Sequence, residues 1–229
     1  MRRTPLNITI VSVGVSLFLA CTPSKTDLLV EDLPIHKIGT AVAVEYDPPP
    51  WTEINIDSMN MVESMAYADS SNFIGKPIYP CARCFLRPEA ANSLAIANSL
   101  ANELGLRMVL FDCYRPLKYQ KVMFDLVQNP RYVAEPKKGG SMHNKGLAVD
   151  LSLADLKGNL LEFGSDFDEF SERSHHDHNK LDSVAKSNRA LLKRIMIEAG
   201  FEPYANEWWH YSYKKVDYEL DDFVWDCDN

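Results

Sequence analysis

Ser141-Met142-His143-Asn144-Lys145-Gly146-Leu147-Ala148-Val149-Asp150-Leu151-Ser152-Leu153 is the stretch on which the fold turns. From Leu147 onward, Leu147, Val149, Leu151 and Leu153 alternate with Ala148, Asp150 and Ser152. Successive side chains of a strand point to opposite faces, so this period of two predicts a strand with one apolar face and with Asp150 on the other. Histidine and aspartate are both zinc donors, through nitrogen and oxygen. His143 and Asp150 are an odd number of residues apart, so on one continuous strand they would face opposite sides. Asn144-Lys145-Gly146 offers a bend that returns His143 over the face carrying Asp150. Alone, a loop histidine is more often a solvated hydrogen-bonding residue than a ligand.

Working outward, Trp209, Tyr211 and Tyr213 alternate with His210, Ser212 and Lys214, which predicts a second strand of the same kind. His210 falls on its polar face, as Asp150 does on its own, and pairing of the two strands would set them side by side. Glu207 stands at the strand entrance. A catalytic zinc needs three protein ligands, an open position for water and a nearby carboxylate base. His143, Asp150, His210 and Glu207 fill those posts; the plainer alternative makes Trp208 and Trp209 core and Glu207 a surface charge. In Phe111-Asp112-Cys113-Tyr114-Arg115-Pro116, Arg115 closes a buried strand just before a helix. Its fixed planar charge suits an oxyanion, or, structurally, an ion pair with Asp112 or another carboxylate.

Helices are expected from Pro88 to about Leu104, with Gly105 as the stop; from Pro116 to about Val127, ended by Asn129-Pro130; and over about 183–199, stopped by Gly200. Leu106 to Cys113 reads as a buried strand and Ala41 to Val44 as a short one. A loop rich in Asp and His spans about 162–180. Strands and helices are interspersed without regular alternation, which points to an α+β fold, a single domain with a central antiparallel sheet flanked by helices.

The chain has 229 residues and a formal charge of -8. An acidic surface argues against a nucleic-acid partner, whose phosphates need a basic footprint. Arg2 and Arg3 precede an apolar run, Ile8 to Ala20, that is short for a membrane span and suits an export signal. Leu17-Phe18-Leu19-Ala20-Cys21 resembles a bacterial lipoprotein cleavage site, despite the bulk of Phe18 and Leu19. The expected organisation is a signal peptide over 1–20, a tether lipidated at Cys21 with an N-terminal loop over 21–50, and the folded domain over 51–229. That makes the chain exported, periplasmic and membrane-anchored; plain secretion and an uncleaved anchor are the alternatives. Cys81, Cys84, Cys113 and Cys227 allow three disulfide pairings, and the sequence does not choose among them. Cys81-Ala82-Arg83-Cys84 lies in an extended context rather than at a helix N-terminus, so it reads as structural rather than redox-active.

Together these motifs resemble the D-alanyl-D-alanine dipeptidases of the VanX type, among the zinc D-Ala-D-Ala peptidases. Tyr114-Arg115-Pro116, then Ser141 to Asp150 as Ser-x-His-x-x-Gly-x-Ala-x-Asp, then Glu207 to His210 as Glu-x-Trp-His, follow that family's order. Ala68 to Tyr79, Phe163 to Asp168 with Ser174-His175-His176, and Asn188 to Phe201 extend the likeness over about 55–214. The tether, the C-terminal acidic tail and the C-x-x-C stand outside it. The resemblance implies a Hedgehog-like fold and one zinc ion per chain on His143, Asp150 and His210. It implies Glu207 as general base, Arg115 as transition-state stabiliser and Ser141 as a hydrogen-bonding support. Asp168, in preference to Asp166, would recognise the dipeptide's amino group. The implied reaction is hydrolysis of D-alanyl-D-alanine, in cell-wall peptide turnover or glycopeptide resistance, with no obligate protein partner. The nearest rival is a zinc carboxypeptidase acting on longer peptidoglycan peptides; a zinc-holding binding lipoprotein is another. His175, His176 and His178 suggest a second metal, or simply an exposed loop.

Overall fold

The computed structural model describes residues 51–227. The expected signal peptide, the lipidation of Cys21, the tether and the expected Ala41–Val44 strand lie outside the described residues. Seven strands and three α-helices order the described part. They are β1 (Thr52–Glu53), β2 (Val62–Glu63), β3 (Phe85–Leu86), α1 (Pro88–Glu103), β4 (Arg107–Asp112), α2 (Leu117–Val127), β5 (Ala148–Ala154), α3 (Ser183–Glu198), β6 (Glu202–Pro203) and β7 (His210–Ser212). Five strands form the main sheet in the order β2-β4-β5-β7-β6, and β1 pairs with β3 as a separate ribbon. Pairing is antiparallel except at the edge, where β2 runs parallel to β4.

Local chemistry sets the helix ends. Pro88 opens α1, where the N–H it lacks would have had no intrahelical partner, and Gly105 ends the helix at φ +71°. The Asp182 side chain caps α3 by accepting the Ala185 N–H at 2.8 Å, and Gly200 stops it at φ +96°. Leu94 and Ala97 of α1 and Leu192 and Met196 of α3 meet Met108, Leu110, Leu151 and Leu153 in one fully buried core.

The central strand departs from the alternating expectation. Every residue of β5 is buried, including Asp150 and Ser152. Helices cover one face of the sheet, and loops close over the other. There the Phe167 ring stacks on Phe111 at 4.7 Å and meets Trp209 edge-on at 5.4 Å. The polar face of β5 is therefore the floor of an enclosed site rather than a wetted surface.

Residues 217–227 carry no regular secondary structure yet run back across the domain. The Leu117 N–H donates to the Asp221 carbonyl at 3.1 Å, and the Asp221 N–H donates to the Asn144 carbonyl at 2.9 Å. Trp225 is buried against Tyr79 and Phe85. Two disulfides, Cys81–Cys227 and Cys84–Cys113, settle the open pairing. The two cysteines of the C-x-x-C thus bond outward to different partners, and the motif is not a dithiol pair.

Candidate metal centre and active site

Three strands bring three acidic or imidazole side chains into a row. Asp112 of β4 sits opposite Asp150 of β5, and Asp150 sits opposite His210 of β7. A bulge at Phe111 shifts the register, so Asp112 arrives opposite Asp150. His143 joins from above. It lies in a 3-10 turn, Met142–Lys145, whose Ser141 side chain accepts the His143 N–H while the Asn144 side chain accepts the Ser141 N–H. Gly146 then reverses the chain at φ +70° into β5. This is the bend expected from Asn144-Lys145-Gly146. A Cβ at Gly146 would run into the Trp51 ring. Gly146→Ala is therefore expected to lower stability by about 1–3 kcal/mol for the left-handed backbone alone, with the collision added. An unchanged denaturation midpoint would refute that reading.

The outer nitrogens of both histidines are engaged, which directs the inner ones. His143 Nδ1–H donates to the Cys113 carbonyl at 2.6 Å, leaving Nε2 as a lone-pair donor. His210 Nε2 lies 3.0 Å from Ser212 Oγ, leaving Nδ1 inward. His143 Nε2 and His210 Nδ1 are 3.1 Å apart, His143 Nε2 and Asp150 Oδ2 3.3 Å, and His210 Nδ1 and Asp150 Oδ1 3.0 Å. A tetrahedral zinc with bonds of about 2.0–2.1 Å has ligand–ligand edges of about 3.3 Å. Three converging electron-pair donors at this spacing fit such an ion, and among the described residues no other cluster of this kind is found. Burial alone would raise the Asp150 carboxyl, but the two imidazoles override it and hold Asp150 well below the usual carboxylate range.

A cavity of about 300 Å³ opens over these atoms and is lined also by Tyr67, Arg115, Ser141, Asp168, Glu207 and Trp209. Glu207 Oε2 is 3.9 Å from His210 Nδ1, and burial pushes the Glu207 carboxyl up to about 7. Arg115 donates through Nε and Nη2 to Asp112 Oδ2 at 3.0 and 2.6 Å, and through Nη1 to Gln120 Oε1 at 2.8 Å. Three of its five N–H groups are thus committed, and the guanidinium lies 4.0 Å from Asp150. Asp168 holds a left-handed backbone, φ +58°, and accepts the Tyr67 hydroxyl at 2.9 Å. Burial first, and the Asp150 charge second, push its carboxyl well above the ordinary range, a state that a cation beside it would reverse. Asp166 is not among the cavity-lining residues.

The candidate residues read from the three motifs, Arg115, Ser141, His143, Asp150, Glu207 and His210, all line this cavity. His175, His176 and His178 do not: none lines the cavity, and His176 packs edge-on to Tyr211. Asp112 carries more than the ion pair foreseen for it, since it also accepts the Tyr79 hydroxyl at 2.8 Å and the Cys113 N–H at 2.9 Å. Gln120, Tyr67, Ser212 and the Cys113 carbonyl were not singled out. Ser212 alone had a sequence signal, being two residues beyond His210 on the same strand face.

A family model described as D-ala-D-ala dipeptidase matches residues 56–226. It reaches twelve residues past the likeness read from the motifs, so the acidic tail, Asp217 to Asn229, is inside the family match up to Asp226 rather than wholly outside it. The D-alanyl-D-alanine dipeptidase of Escherichia coli K12 is 42% identical over 147 residues, covering 64% of this chain and 76% of that protein. The enzyme of that name from Enterococcus faecium is 36% identical over 169 residues, covering 63% and 82%. The one from Streptomyces coelicolor is 32% identical over 173 residues, covering 65% and 84%. With its motifs gathered around one cavity and the match spanning most of its length, this chain belongs to the D-Ala-D-Ala dipeptidase family of peptidases.

Proposed function

We propose that this chain hydrolyses D-alanyl-D-alanine to two D-alanines, using one zinc ion on His143, Asp150 and His210. The observation that carries the reading is the convergence of His143 Nε2, His210 Nδ1 and the two oxygens of the Asp150 carboxylate at contacts of 3.0–3.3 Å, with Glu207 and Arg115 lining the same cavity. Zinc in that set would supply Lewis acidity, activating water and polarising the scissile carbonyl.

The protein's own groups do the rest. Glu207 takes the proton of the attacking water and passes it to the leaving amine; a carboxyl near neutrality is well matched to both transfers. Arg115, held by Asp112 and Gln120, faces the negative charge that develops on the carbonyl oxygen. Asp168, oriented by Tyr67, takes the substrate's ammonium group. Ser141 fixes the turn that presents His143.

The reading includes export and attachment to a membrane through a lipid on Cys21, with turnover of cell-wall peptides as the setting. The two disulfides support an oxidising compartment. No helix among the described residues is long and apolar enough to cross a membrane.

Purified protein loaded with zinc is expected to release D-alanine from D-alanyl-D-alanine. A chelator should stop the release and added zinc restore it. Folded, zinc-loaded protein that releases D-alanine only from a stem pentapeptide would replace this reading with a carboxypeptidase. Release from neither would refute hydrolysis of D-Ala-D-Ala termini.

A further inference from the structure

We propose that the Cys84–Cys113 disulfide is a positioning element of the metal centre, holding the carbonyl that aims His143. The inference rests on the zinc reading of the site. Strand β4 ends at Asp112, so Cys113, Tyr114 and Arg115 lie beyond the regular sheet ladder. Their backbone nevertheless organises the site. The Cys113 carbonyl accepts His143 Nδ1–H at 2.6 Å, the Arg115 N–H donates to the His143 carbonyl at 3.1 Å, and the Arg115 carbonyl accepts the Asn144 side chain at 2.7 Å. What ties this segment to the rest of the fold is the neighbouring ribbon. Cys113 is cross-linked to Cys84, and the Tyr114 N–H donates to the Phe85 carbonyl at 2.9 Å. Cys84 is itself held, because its carbonyl accepts the Ile54 N–H at 2.8 Å, and both half-cystines are fully buried.

The other cysteine of the C-x-x-C reaches the same turn by a longer route. Cys81–Cys227 secures the tail, whose Asp221 N–H donates to the carbonyl of Asn144, next to His143. The four-residue segment Cys81–Cys84 therefore clasps the turn that bears His143 from two sides. The Cys84 clasp is the direct one, since its partner supplies the oxygen that fixes the imidazole. Partners of this kind set a ligand's tautomer and tilt, and losing one typically lowers metal affinity by about 10–100-fold. A carbonyl cannot be removed by mutation, but the constraint on its peptide plane can.

The test compares the full chain with its C84A/C113A variant, the Cys81–Cys227 bond left intact. Zinc affinity is measured by competition with a chromophoric chelator, and kcat and KM on D-alanyl-D-alanine are measured well below each protein's melting midpoint. The variant is expected to remain folded, to bind zinc about 10–100-fold more weakly, and to lose kcat more than it gains KM. A lowered melting midpoint with wild-type zinc affinity and kcat would reduce the disulfide to a general staple and overturn the proposal. If C84A/C113A does not fold, a C81A/C227A chain, which keeps Cys84–Cys113 and lacks the Cys81–Cys227 bond, is treated with a phosphine reductant in the cold and decides. Loss of zinc on opening of Cys84–Cys113 while circular dichroism persists supports the proposal, and retention overturns it. A wild type that binds no zinc would instead remove the reading of the site, and this inference with it.

Discussion

Glu207→Gln lowers kcat on D-alanyl-D-alanine by about 10²–10⁴-fold, the usual contribution of a positioned acid–base group, while one zinc remains bound. The amide keeps the shape of the carboxyl but cannot accept the water's proton. Zinc retention follows because Glu207 is outside the cluster of His143, Asp150 and His210, its carboxylate 3.9 Å from His210 Nδ1. The wild type should also show an acid limb in its kcat/KM profile. The base works only when ionised, so the rate falls as pH drops through its pKa. Burial sets that value at about 7, and a cation on the adjacent ligands lowers it, so the limb lies below pH 7. Glu207→Gln should lose this limb. A variant with wild-type kcat, or one that loses its zinc, would remove Glu207 from the role of base.

Arg115→Ala should act on rate and stability together. Losing one oxyanion donor costs about 10²–10³ in turnover in other hydrolytic enzymes, and a loss of that order is expected here. The same change strips Asp112, which has no exposed surface, of a guanidinium bound at 2.6 and 3.0 Å. Breaking a buried pair by removing one partner costs about 3–5 kcal/mol, so the denaturation midpoint should fall clearly. Arg115→Ala combined with Asp112→Asn separates the two effects: removing the orphaned charge should recover part of the stability and none of the activity. Arg115→Lys keeps a charge but not the planar fork that engages Asp112 and Gln120 at once, so it should fall between. An Arg115→Ala enzyme of unchanged rate would leave the residue with a structural ion pair and nothing more.

Much of this site was legible before any coordinates. Period-two alternation put Asp150 and His210 on the polar faces of two strands, and those strands pair with the two residues directly opposite. Glycine after a short polar turn signalled the reversal that returns His143 to Asp150, and φ +70° at Gly146 is that reversal. Helix limits followed from Pro88, Gly105 and Gly200, which act through a fixed φ or a tolerated left-handed one and need no distant partner.

Other features had no local signature. Asp112 looked like one of several carboxylates able to pair with Arg115; a bulge at Phe111 made it the buried anchor of both Arg115 and Tyr79. The acidic tail stood outside the motifs and carried no local signal of packing, yet Trp225 is buried and Asp221 is tied to the turn bearing His143, contacts more than seventy residues apart in sequence. The C-x-x-C invited a choice among three pairings, and the structure bonds its cysteines to Cys227 and Cys113.

The division has one physical cause. Backbone preference and face alternation act over a few residues, so the long strands β4 and β5, the strand at His210, the helix ends and the glycine turn were determined by the sequence alone. Enclosure of the polar sheet face, the tautomer of His143, the raised carboxyls of Glu207 and Asp168, and the disulfide pairing depend on which distant segments meet and exclude water from which groups. Those were decided only when the tertiary structure brought the loops and the tail over the sheet.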